Sequence, residues 1–100
     1  MKTREELVRI AHAAAAAVFV SARKGITANM MQRARIAAYD AVSRADSSVG
    51  TKDHPFAAYS FGIVALADDG VAQASAAWEK IRAEGAAAIR ARLERSKSDT

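Results

Sequence analysis

Twenty-six of the hundred residues are alanine, and most fall in stretches with the three-to-four-residue spacing of a helix. Alanine is the best helix former and adds almost no bulk. Such a chain folds into thin helices that approach one another closely. Its exposed faces then suit docking better than they suit a deep pocket. The run Ala13–Ala17 covers every side of a helix for more than a turn. Buried, it lets helices come together; exposed, it offers a smooth surface to another protein or to a second copy of this chain.

One hundred residues make one domain. Apolar residues form 51% of it, but only three Phe, two Tyr, one Trp and three Met join a few Leu, Ile and Val as large core formers. A chain this short buries roughly two thirds of its unfolded surface. Marginal stability alone, and some gain from a partner, is the expectation. There is no cysteine, hence no disulfide, thiolate metal site or cysteine nucleophile, which fits a reducing cytoplasm. The opening Met1–Glu6, with two glutamates, does not read as a signal peptide. The longest apolar run, Ala13–Val20, falls far short of the ~20 residues a bilayer span needs. Net charge is +4; the first half holds eight Lys/Arg against four Asp/Glu and the second seven against seven. A dedicated nucleic-acid binder carries a denser basic stripe.

Thr3 caps a first helix, with Glu6 completing a capping box. It runs to about Lys24, with Leu7, Ile10, Ala14, Ala17, Val18 and Ser21 on one face and Gly25 as a left-handed stop. Thr27 or Asn29 caps a second helix to Ala45, whose core stripe is Met30, Ala34, Ala37, Ala41 and Val42. Arg33 and Arg44 share a face and Arg35 lies far around from it. Residues 46–55 are turn-forming throughout. Residues 56–67 are apolar almost all round, which places them mid-domain; helix is preferred to strand because no second strand exists to pair with them. Asp68-Asp69-Gly70 reads as a turn that caps a last helix to about residue 95. Val71, Ala74, Trp78, Ile81, Gly85 and Ala88 follow heptad spacing there. Gly85 suits a close helix crossing, and residues 96–100 should fray.

Little chemistry accompanies this scaffold. His12 has no ligand or carboxylate beside it on its helix. Asp53 and His54 are adjacent and could form an acid–base pair, but sequence neighbours seldom face one another and no nucleophile motif accompanies them. Asp68 and Asp69 lack the further oxygen ligands of a calcium loop. The five glycines are dispersed, so no phosphate loop or dinucleotide fingerprint is present. Phe56, Tyr59, Phe61 and Trp78 read as core rather than as base-stacking platforms. The cations of the second helix and of residues 82–97 read as solvated faces, or as contacts to phosphate or an acidic protein patch. The turn Arg23–Thr27 followed by Asn29, Gln32, Arg33 and Arg35 also makes a helix-turn-helix conceivable.

In overall build the chain resembles small proteins of phages and mobile elements, among them the anti-CRISPR inhibitors of type I surveillance complexes. The resemblance rests on length, absence of cysteine, the helical run Thr3–Lys24 followed by Thr27–Ala45, and the lack of catalytic motifs. No motif defines that group, so no residue role carries over. It implies docking on a Cas subunit in a bacterial host cytoplasm, with target DNA binding or nuclease recruitment blocked sterically. Many such inhibitors are acidic DNA mimics, whereas this chain is basic, which favours docking of Arg33, Arg35 or Arg44 on an acidic surface or on nucleic acid in the complex.

The expected fold is therefore all-α, a compact single-domain bundle of four to five helices at about 4–24, 28–45, 56–67 and 70–95. The expected function is stoichiometric, non-enzymatic binding without metal or cofactor, through Asn29, Gln32, Arg33, Arg35, Arg44, Lys52, Asp53 and His54. A small nucleic-acid binder or regulator is the alternative, and self-association a further possibility.

Overall fold

The computed structural model describes residues 2–56 and 60–98. Among the described residues it is all-α, with three helices rather than four or five: α1 (Arg4–Phe19), α2 (Ala28–Ala45) and α3 (Ser60–Ser98). No strand occurs among the described residues. Among the described residues no helix is long and apolar enough to cross a membrane.

The N-caps predicted for the first two helices form, the second at Thr27 rather than Asn29. The Thr3 hydroxyl accepts the Glu6 amide at 3.2 Å while the Glu6 carboxylate accepts the Thr3 amide at 3.2 Å. Thr27 accepts the Met30 amide at 3.2 Å and opens α2. Each bond satisfies a backbone donor that the helix itself leaves orphaned.

α1 ends at Phe19 rather than Lys24. Val18-Phe19-Val20-Ser21 are weaker helix formers than the alanines before them. Leaving the helix there returns Ala22 and Ile26 to the core. Gly25, at φ +145°, turns the connection several residues past the helix end. The buried face of α1 is also rotated from the predicted stripe. Leu7, Val8, Ala11, Ala15 and Phe19 are buried, Ala17 and Ser21 are exposed, and Ile10 and Ala14 lie between. Five consecutive alanines carry no phase information, so the large residues at the two ends decide which side faces inward. On α2 the buried row is Ala34, Ala38 and Val42, with Met30, Ala37 and Ala41 half-buried beside it.

The predicted turn at Asp68-Asp69-Gly70 does not exist; α3 runs through it unbroken. Gly70 is buried at the crossing with α1, where an added Cβ would lie 2.3 Å from the Ala11 Cβ and 2.7 Å from its carbonyl carbon. The close crossing thus belongs to Gly70, and around Gly85 there is open space. Asp68 and Asp69, expected as caps, instead face arginines of the other two helices. Asp69 pairs with Arg4 of α1, and Asp68 with Arg35 of α2 at 3.5 Å.

Of the aromatics predicted as core, the two Phe described do not enter it, and Trp78 packs against its edge. Phe56 and Phe61 are exposed and Trp78 is half-buried, while Tyr59 lies outside the described residues, as do Ala57 and Ala58. The core is built from Leu7, Phe19, Val42, Val49, Leu66 and Val71, knitted by alanines. Residues 96–98 are helical rather than frayed; Asp99 and Thr100 lie outside the described residues. At ~1.5 Å per residue, α3 is roughly 58 Å long. α1 and α2 pack on its first half only, and every residue from Glu79 to Arg90 is exposed. The molecule accordingly measures 67 × 25 × 16 Å, with a radius of gyration of 17.8 Å, against about 13 Å for a globular chain of this length.

Candidate functional site

α2 carries five of the eight residues singled out from the sequence, with Arg35 on the opposite side of its exposed surface from Arg33 and Arg44. Asn29, Gln32, Arg33, Arg35 and Arg44 are all exposed. Their electrostatic situations differ. Arg44 bonds Asp40 one turn earlier at 3.1 Å, and Arg35 reaches across to Asp68. Both pairs are open to solvent, where such bonds contribute about 0–1 kcal/mol. They remain exchangeable for a ligand's carboxylate or phosphate.

Between these arginines lies an apolar feature that the sequence reading passed over. Ile36 is 63% exposed and Tyr39 stands exposed a turn further on. Together they form a ridge between two surface clefts. One, about 330 Å³, is lined by Arg35, Ile36, Tyr39, Val64, Ala67 and Asp68. The other, about 530 Å³, is lined by Val18, Arg33, Ile36, Ala37, Tyr39 and Asp40. A signal was available in the sequence: Ile36 lies about 200° from Ala34 on a helical wheel, so an isoleucine faces away from the buried row.

The loop after α2 turns inward. Asp46 closes α2 and its Oδ1 accepts the Ser48 hydroxyl at 2.6 Å and the Ser48 amide at 3.1 Å. Its Oδ2 accepts the Lys2 amide at 3.4 Å and faces His54 Nε2 at 3.2 Å. His54 Nδ1 accepts the Phe56 amide at 3.2 Å. A ring nitrogen that accepts carries no proton, so the proton sits on Nε2 and is donated to Asp46. The His54 side chain is completely buried, and Val49 of the same loop is buried in the core. His54 therefore pairs with Asp46, not with the adjacent Asp53, and it latches the loop to the end of α2. Lys52 and Asp53 stay exposed on the loop's outer side.

The Ser48 hydroxyl, above all, holds the Asp46 carboxyl at about 2, below its ordinary 3.8; partial burial works against it, and the Ser48 amide, His54 and the Lys2 amide reinforce it. Because the folded value is depressed, the latch's contribution to stability is complete above the ordinary value and is lost as pH falls through about 2. In Asp46→Asn an amide must meet the His54 N–H, either donor to donor or at the expense of the Ser48 bonds. We expect this variant to melt below the parent at neutral pH. The gap should close as thermal melts are taken from pH 4 down to pH 2; a gap independent of pH would mean that the carboxylate charge plays no part in the latch.

Among the described residues no three His, Cys, Asp or Glu side chains gather to hold a metal ion. His12 is half-buried and lines an apolar cleft between α1 and α3 with Ala16, Phe19, Val20, Trp78 and Ile81. No protein-family model, curated protein or solved structure matches this chain.

Proposed function

We propose that the protein is a non-enzymatic binding module whose partner seats on α2. The observation that carries this reading is the Ile36–Tyr39 ridge, open to solvent between two clefts and flanked by Arg33 and Arg35. Aromatic, aliphatic and arginine side chains in that arrangement are the composition of interface hot spots. Arg35, held at its carboxylate by an exposed bond, can exchange Asp68 for an acidic group of the partner. The binding set is then Arg33, Arg35, Ile36 and Tyr39, with Asn29 and Gln32 at the rim.

In its most specific form the partner is a Cas subunit of a type I surveillance complex, and seating there blocks target DNA binding or nuclease recruitment by bulk. The cysteine-free helical build and basic charge favour an acidic protein surface as the target. The helix-turn-helix alternative is weaker. Residues 20–27 connect α1 to α2, about twice the three or four residues of that motif's turn.

The test adds purified protein in equal amount to a type I surveillance complex and measures target DNA binding and nuclease recruitment. Loss of either function is expected. Ile36→Glu, at a position 63% exposed, should weaken the effect about 30-fold or more at unchanged helicity, as expected for a hot spot; Arg33→Glu should weaken it less. Retardation of free DNA that disappears steeply with salt would establish the nucleic-acid alternative instead.

A further inference from the structure

We infer that the free half of α3 is the interface with a second copy of this chain, the two helices running antiparallel and crossing at Gly85. The starting observation is a row of side chains. Ile63, Ala67, Val71 and Ala74 are buried against the rest of the bundle. Continued at about 100° per residue, the same row passes through Trp78, Ile81, Gly85, Ile89 and Leu93, all within roughly 60° of one direction. Past Trp78 nothing covers it: Ile81, Ile89 and Leu93 are 59–68% exposed. The core stripe thus runs on for a further ~22 Å, as far as Leu93, beyond the helices that cover its first half.

Three features point to a second copy, antiparallel, as the occupant. The first is charge. Residues 79–84 hold Glu79 and Glu84 against Lys80 and Arg82, whereas residues 90–97 hold Arg90, Arg92, Arg95 and Lys97 against Glu94 alone. A parallel pair stacks the basic segment on itself. An antiparallel pair crossing at Gly85 lays it beside residues 73–80, whose only charges, Glu79 and Lys80, cancel. Glu79 of one copy then comes level, within one residue, with Arg90 of the other, and both flank the apolar row on the same side.

The second feature is the cleft at the foot of the free half, about 290 Å³, whose lining includes Phe19, Val20, Ala77, Trp78 and Ile81. With the crossing at Gly85, Ile89 of the second copy lies level with Ile81 and Leu93 with Ala77. The exposed residues of one copy thus enter the apolar cleft of the other. The third is Gly85 itself. It has open space where a Cβ would stand, so two backbones can approach closely at the crossing.

A contact of ~24 Å between two helices, from residue 77 to residue 93 of each copy, with side chains entering a cleft at each end, lies near the lower bound of stable interfaces. A pair that dissociates on dilution is therefore expected. In this register the α3 of the second copy ends level with about residue 72, so Ile36 and Tyr39 remain uncovered. The pairing is independent of the binding function proposed for α2.

Sedimentation equilibrium of the full chain should show twice the 10.6 kDa monomer mass at several hundred micromolar and dissociation on dilution. Ile81→Glu/Ile89→Glu should weaken the pair 30-fold or more without loss of helicity. Glu79→Arg and Arg90→Glu should each weaken it several-fold, and the double reversal should restore it. Orientation is read by introducing single cysteines into this cysteine-free chain. Gly85→Cys should cross-link with itself under mild oxidation, and Ser96→Cys should not. A monomer at half-millimolar concentration, a pair indifferent to the double glutamate variant, or self-linking through Ser96→Cys would each overturn the proposal.

Discussion

Phe19→Ala is expected to cost about 3–5 kcal/mol, enough to leave much of the protein unfolded at 37 °C. The ring is almost completely buried and is the largest of the fully enclosed side chains. Truncation removes its transfer free energy and leaves a cavity that helices of mostly alanine cannot collapse to fill. Domains of this kind have only about 5–15 kcal/mol in total, and here the large core side chains are few. The matched control is Phe61→Ala. That residue is 80% exposed, and its loss should change stability by less than about 0.5 kcal/mol. Urea denaturation followed by circular dichroism compares the two midpoints directly. Equal midpoints would refute the placement of one ring inside and the other outside.

Gly70→Ala should destabilise by about 2 kcal/mol or more, while Gly85→Ala should stabilise by up to about 1 kcal/mol. Alanine is the better helix former at both sites by about 1 kcal/mol, so the opposite signs come from the surroundings alone. At Gly70 the new methyl would stand 2.3 Å from the Ala11 Cβ, 2.7 Å from its carbonyl carbon and 2.8 Å from the His12 nitrogen. Two of those atoms are backbone and cannot rotate away, so α1 and α3 must move apart; a clash this close falls at or above the top of the about 1–3 kcal/mol that overpacking usually costs, which leaves about 2 kcal/mol or more after the gain in helix propensity. At Gly85 the methyl meets nothing. In a domain of this size the Gly70 change corresponds to a fall in melting temperature of roughly 8–16 °C. A Gly70→Ala protein as stable as its parent would mean that the helices do not cross at this distance. Gly85→Ala is best measured in dilute, monomeric protein, where the bulk added at the crossing of the proposed pair plays no part.

The helix starts were legible because each is a local event. Thr3 and Thr27 satisfy amides three residues ahead, with no help from the rest of the chain. The bounds of α2 could be read for the same reason: a cap at one end and a run of turn formers at the other. The rotation of α1 was not legible. Ala13–Ala17 fit a buried or an exposed face equally, and only packing against α2 and α3 turned Ala11, Ala15 and Phe19 inward. At the candidate site the arginines were visible from their spacing on α2. The Ile36–Tyr39 ridge between them emerged only once the buried row of that helix was known.

Asp68-Asp69-Gly70 shows why local chemistry can mislead. Two helix-capping residues and a glycine have every property of a turn. In the folded chain, however, the glycine admits Ala11, and each aspartate bonds an arginine of a different helix. His54 repeats the lesson: its neighbour in sequence is Asp53, and its partner in space is Asp46. Composition and capping chemistry alone determined that this is an all-helical chain and where its first two helices begin, because alanine content and caps act within a turn. Tertiary structure alone decided that the last helix is unbroken, which faces are buried, and that half of α3 stands clear of the bundle. Those outcomes depend on contacts between residues far apart in the chain, and no local pattern encodes them.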